Sequence, residues 1–194
     1  KDGAWSRVSD FRGTEAWKTD TGEKITVSEL GTLNSLGLTD QPYPEYPATW
    51  NGSAWAADID SMKKIRLDAL DSSAASAYIS GFTSAASGSE MFYDSDEKTQ
   101  QLLSNIYQRT KETDWETKER YPGICPAGQA PIRARPNAES PDEAKTIQKL
   151  NAAQVKTLID DLDSAFYAIK VKLWTKQAQV ASATTVEELN AIVW

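Results

Sequence analysis

Side chains able to do chemistry are few in this sequence, and the missing types decide most. It contains no histidine and a single cysteine, Cys125. Without imidazole there is no Ser-His-Asp or Cys-His catalysis, no imidazole acid–base chemistry and little scope for transition metals. A lone cysteine rules out an internal disulfide framework and zinc sites built from paired cysteines. Cys125 sits beside Pro126, with Arg120 and Arg133 nearby but no base to activate it, and reads as a spare thiol. The run from Gly123 to Ala130 has the glycine spacing of a phosphate-binding loop. Gln129 and Ala130, however, stand where Lys and Ser or Thr would hold phosphate and magnesium. Asp94, Asp96 and Glu97 lack the alternating acids, glycine turn and distant glutamate of a calcium loop. Asp94 and Glu97 are instead spaced as a helix capping box. Asp160, Asp161 and Asp163 read as a solvated helix face. No catalytic, cofactor-binding or metal-binding residue is assigned, and a non-enzymatic role is expected.

The aromatic residues are the better lead. Trp5, Trp17, Trp50 and Trp55 fall early in the chain, with Tyr43 and Tyr46 between them. Asn51-Gly52 tolerates the positive φ of a tight hairpin turn, which would set Trp50 and Trp55 face to face. Trp50, Trp55, Tyr43 and Tyr46 are therefore candidate contacts for a partner protein or a glycan. The same rings are what a tiny β region would use as its core, and that reading is favoured over exposed contacts.

Positioning these residues calls for two kinds of structure. Residues 1–57 read as a small, Trp-rich antiparallel β region. One hairpin is expected around Asp20-Thr21-Gly22-Glu23, one around Asn51-Gly52, and a further strand over Ala4–Val8. Gln41 to Pro47 should be extended, because three prolines restrict it. Residues 58–194 read as mainly helical. A helix capped by Asp58 is expected to run to Ser80, with Ile59, Met62, Leu70, Ala74, Ala77 and Tyr78 along one side and Gly81 as its stop. Phe82 to Tyr93 is expected to be a loop, with room for a short strand. A second helix should run from the Asp94–Glu97 box to Thr113, with Leu102, Leu103, Ile106 and Tyr107 inward. The proline-rich insertion at about 115–141 predicts either a partner-bound loop or short strands such as Gln129–Ala134 laid over the helices. Ser140-Pro141-Asp142-Glu143 predicts a short helix leading into the last one.

The last long helix is the strongest signal. Asn151 and Gln154 form a capping box, and Val155, Ile159, Leu162, Phe166, Ile169, Leu173 and Val180 make an apolar stripe. Thr184 and Glu187 predict a cap for a final short helix with Val186, Leu189, Ile192 and Val193 apolar. Tyr167, Val171 and Trp174, continued by Ala178, form a second strip on the long helix. It is a candidate oligomer or partner interface, or else the mark of a helix central to its own domain.

Net charge is −7, a sign that repels phosphate, so neither nucleic acid nor an anionic membrane is an expected partner. No apolar run approaches the ~20 residues of a membrane-spanning helix. The chain starts at Lys1 without Met, which reads as a fragment or processed form.

Several of these stretches carry a resemblance. Gly81-Phe82-Thr83-Ser84-Ala85-Ala86-Ser87-Gly88, Tyr93-Asp94-Ser95-Asp96 and a helix with Gln100-Gln101-Leu102 resemble a C-terminal domain of phage tail fibre proteins. Ala152-Ala153-Gln154 and the ending from Ala183 to Trp194 (ATTVEELNAIVW) fit the same pattern. The N-terminal part, best at Leu38–Pro44 and Trp50–Asp58, is similar to tail fibre and tail fibre assembly proteins. The expected architecture is α+β: a small antiparallel β region followed by a mainly helical tail-fibre-type domain. The resemblance implies a non-enzymatic bacteriophage or prophage tail fibre component that makes protein–protein contacts in tail assembly or host attachment. The alternatives are a tail fibre assembly chaperone that binds the fibre and leaves, and a carbohydrate-binding or carbohydrate-acting module using the Trp hairpin. Implied partners are other tail or fibre proteins, further copies of the chain, or a host surface glycan. The implied location is the virion tail, or the host cytoplasm during assembly.

Overall fold

Short strands come first, wherever turn residues let the chain reverse. A computed structural model describes residues 7–194 and has an α+β architecture. β1 (Glu15–Lys18) and β2 (Lys24–Thr26) pair antiparallel from Glu15↔Thr26 to Trp17↔Lys24, through the expected Asp20–Glu23 turn. β3 (Leu38–Thr39) joins the other side of β1, giving the order β2-β1-β3. β4 (Ala48–Trp50) and β5 (Trp55–Ala57) form the second expected hairpin, with Trp50 opposite Trp55. The strand expected over Ala4–Val8 lies largely outside the described residues, and Arg7 and Val8 are in no strand. Gln41 to Pro47 is irregular and bends at Glu45 and Tyr46.

α1 (Ile59–Tyr78) starts where Asp58 accepts a hydrogen bond from Ser61 N at 3.0 Å. Met62, Leu70 and Ala74 are buried on the predicted side. Gly81 ends the turn that follows at φ +98°, and a Cβ there would lie 2.3 Å from the Phe92 ring.

Beyond α1 the structure corrects several expectations and decides one alternative. The expected loop at 82–93 is a hairpin of β6 (Phe82–Ser84) and β7 (Met91–Tyr93). Its small residues masked the alternation, yet Phe82 and Tyr93 are buried and stack at 5.7 Å. α2 (Glu97–Arg109) is capped by Asp96, which accepts from Lys98 N and Thr99 N, and not by Asp94. Leu103 and Ile106 are buried as expected, but Leu102 faces solvent and the helix ends short of Thr113. Of the two readings of the proline-rich segment the short strand is the one found: β8 (Gln129–Ala134) pairs with β9 (Thr146–Asn151) from Gln129↔Asn151 to Ala134↔Thr146. Ala130, Ile132 and Ala134 point inward at the strand period of two. Asp142–Ala144 is a single 3-10 turn with Pro141, not Ser140, at its cap, and it leads into β9.

α3 (Ala152–Ser182) opens with the predicted reciprocal box: Gln154 N donates to Asn151 Oδ1 at 2.9 Å and Asn151 N to Gln154 Oε1 at 3.0 Å. Val155, Leu158, Leu162 and Val180 are buried along it. The box of α4 (Val186–Ala191) is Thr185 with Glu188, one residue later than expected, and Val193 is exposed.

The chain divides into two compact units, one of residues up to Leu67 with Val180–Ile192, the other of Asp68–Gln179 with Val193–Trp194. The first contains a core of Ala16, Val27 and Leu38, flanked by Ile25, Leu33 and Leu36. The second packs thirteen buried residues, from Phe82 and Tyr93 through Trp115 and Ile132 to Leu158 and Leu162. Among the described residues no helix is long and apolar enough to cross a membrane.

Candidate interaction surfaces

The Trp hairpin is built by its turn. The Asn51 side chain accepts from Ser53 N and Ala54 N at 3.0 and 2.9 Å, closing the loop between β4 and β5. Trp50 and Trp55 then meet edge to face at 5.2 Å, and Tyr43 packs edge-on to Trp55 at 4.9 Å. Two of the three polar handles are spent inside this cluster. Trp55 Nε1 donates to the Gln41 carbonyl at 3.0 Å, and the Tyr43 hydroxyl accepts from Ala48 N at 3.0 Å. The Tyr43 ring also packs on Gly22, where a Cβ would come within 2.2 Å of it. Trp50, Trp55 and Tyr43 are all half-buried; Tyr46 is half-buried too but stands outside the ring cluster.

The second predicted surface lies on α3. Tyr167, Val171 and Trp174 are 65%, 40% and 52% exposed, and Ala178 continues the strip in solvent. Lys170 Nζ lies 4.8 Å from the Trp174 ring centroid, a cation–π contact that shelters one side of the indole. The helix turns its Val155, Leu158 and Leu162 side inward and presents this strip outward.

The residues weighed for chemistry serve structure. Cys125 is buried, its Sγ donates to the Gln129 carbonyl at 3.3 Å, and burial pushes the thiol up from its ordinary value. In the glycine-spaced loop the Glu116 carboxylate packs against Gly128, where it would repel a phosphate. Asp94, displaced from its predicted cap, accepts from Lys145 Nζ at 2.7 Å, and Lys145 also reaches Asp142 at 3.0 Å. Those two hydrogen bonds, Asp94's the larger, raise Lys145 above the usual lysine range. Arg135 pairs with Asp142 at 3.0 Å as well, so these charges pin the end of β8 to the approach to β9. Asp161 accepts from Ser84 Oγ at 2.5 Å, while Asp160 pairs with Lys156. Among the described residues no three or more metal-ligating side chains converge.

Sequence reasoning missed Lys145 and the sheet-face groove formed by Ile25, Val27, Leu36 and Leu38. The strand alternation of Ile25 and Val27 hints at the groove, but its far wall depends on the 3-10 turn at Asn34–Leu36.

Comparison with known proteins adds an independent line. No family model matches the chain, and no solved structure matches it. It is 34% identical over 64 residues to the tail fiber assembly protein of Escherichia phage lambda. It is 33% identical over 64 residues both to protein TfaD and to the prophage tail fiber assembly protein homolog TfaR of Escherichia coli strain K12. Each match covers 33% of this chain, and 32%, 34% and 33% of the three relatives in turn. The chain thus spans about a third of the length of the curated relatives it matches. What it is similar to, over that third, is a phage tail fiber assembly protein, a prophage homolog of one, and protein TfaD.

Proposed function

We propose that the chain is a tail fibre assembly factor of a phage or prophage, binding the fibre polypeptide through protein–protein contacts and doing no catalysis. The observation that carries this is the similarity to the tail fiber assembly protein of phage lambda and to the prophage tail fiber assembly protein homolog TfaR, which favours the assembly role over a permanent fibre component. The surface chemistry is in keeping with it. The chain exposes an apolar strip at Tyr167, Val171 and Trp174, while Cys125, Asp94 and Asp161, weighed for chemistry, are occupied in structural contacts. Such a factor would act in the host cytoplasm during assembly. The Trp50–Trp55 hairpin is proposed as a structural platform first and a contact second, because the polar groups of Trp55 and Tyr43 are already engaged.

Co-expression with the fibre polypeptide of the same phage or prophage tests this reading. Soluble, assembled fibre should rise several-fold over fibre expressed alone, with the chain absent from purified virions by mass spectrometry. Unchanged fibre yield would overturn the assembly role, and stoichiometric presence in the virion would make the chain a fibre component instead.

A further inference from the structure

The three-stranded sheet carries its small core on one face, and that face is only half roofed. Ala16, Val27 and Leu38 are buried there, while Ile25 and Leu36 remain half-buried. Between them lies a groove of about 390 Å³ with Ile25, Val27, Leu36 and Leu38 as its apolar lining. Lys18, Asp20 and Glu29 stand on its rim. Lys18 is already matched by Glu23, whose carboxylate is 2.5 Å away. Asp20 and Glu29 are exposed and, among the described residues, make neither a hydrogen bond nor an ion pair. The groove therefore sets the half-buried Ile25 and Leu36 beside two exposed carboxylates, of which Asp20 also lies in the field of Lys18.

We propose that this groove docks an extended segment of the fibre polypeptide through an apolar side chain flanked by Lys or Arg. The proposal rests on the assembly-factor reading and names the chemistry of the contact. Covering Ile25 and Leu36, the two lining side chains still partly open to water, supplies the affinity, and Asp20 and Glu29 select the charge of what enters. The same rim charges work against a second copy of this chain, whose net charge is −7, and against anionic lipid or glycan.

The test uses the full chain and two sets of ten-residue peptides, each with a Leu-Phe anchor, flanked by Arg in one set and by Glu in the other. Arg-flanked peptides should shift the amide resonances of Ile25, Val27, Leu36 and Leu38 and bind at least tenfold more tightly than Glu-flanked ones. The double variant Asp20→Lys/Glu29→Lys changes only exposed side chains, so its thermal melt should match the parent. It should reverse the peptide ranking and capture the co-expressed fibre polypeptide at least tenfold less well. Equal binding of both sets, shifts that map elsewhere, or full fibre capture by the double variant would overturn the groove. If the parent chain itself captures no fibre, the functional reading falls, while the peptide ranking still decides what the groove accepts.

Discussion

The N-terminal sheet and the 82–162 core solve the same problem with unequal means. The sheet buries three apolar side chains, Ala16, Val27 and Leu38, whereas the larger core closes over thirteen. Buried apolar area scales accordingly, at roughly 25 cal/mol per Å². The larger core can also take in difficult groups: Trp115 is 2% exposed with its indole N–H unpartnered, and the neighbouring packing tolerates it. The sheet has no such reserve, and part of its apolar lining stays open to water. A thin core thus leaves part of its apolar surface open, and a thick one closes over its own.

The largest effect that would sharpen this contrast is expected from Leu158→Ala. Its side chain is fully buried in the thick core, so truncation should cost about 2–5 kcal/mol in chemical denaturation. Leu38→Ala should cost less, about 2 kcal/mol, because it is buried in a cluster of only three such side chains and has fewer neighbours to lose. Hydrogen exchange should show that loss confined to residues 15–39, with Leu103 and Leu158 still protected. Equal losses of protection across both regions would break the contrast.

Acid should separate the regions further. Asp58 is held below the usual carboxylate range chiefly by the Ser61 N–H, and Glu188 chiefly by the Thr184 N–H. Asp96, in the other unit, is lowered chiefly by the Thr99 hydroxyl. Groups lowered on folding contribute their stability fully above the unfolded carboxylate range, about pH 4, and lose it as pH falls through the lowered values. Two of the three caps lie in the first unit, so helix content reported at Ile59–Leu67 and Val186–Ala191 should fade first below about pH 4. Uniform fading along the chain would contradict this. The smallest effect is expected from Tyr167→Ser with Trp174→Ser, which should leave stability within about 0.5 kcal/mol because both rings face solvent. A larger loss would mean that the strip is part of the frame.

Much of the frame was legible in the sequence because its signals are local. The Asn151–Gln154 box, the α3 stripe, the Asp58 cap and the Trp50–Trp55 register depend on residues a few positions apart. What escaped depends on distant partners. Asp94 looked like a cap because Glu97 lies three residues on, yet Lys145 claims it and Asp96 takes the helix. The caps at α2 and α4 moved because neighbouring Asp or Thr residues compete for the same N–H groups, and spacing alone does not rank them. Gln129–Ala134 was an alternative to a loop until β9 supplied its pairing partner. The candidate surfaces divide the same way: the Trp hairpin and the α3 strip follow from short periods, while the groove needs three strands and a turn.

The central claim is that the chain recognises a tail fibre polypeptide, and affinity purification of the tagged full chain from a prophage-induced host tests it most directly. The fibre polypeptide should co-elute as the main partner identified by mass spectrometry. Elution of the chain alone, together with normal fibre assembly in a host lacking it, would contradict the claim.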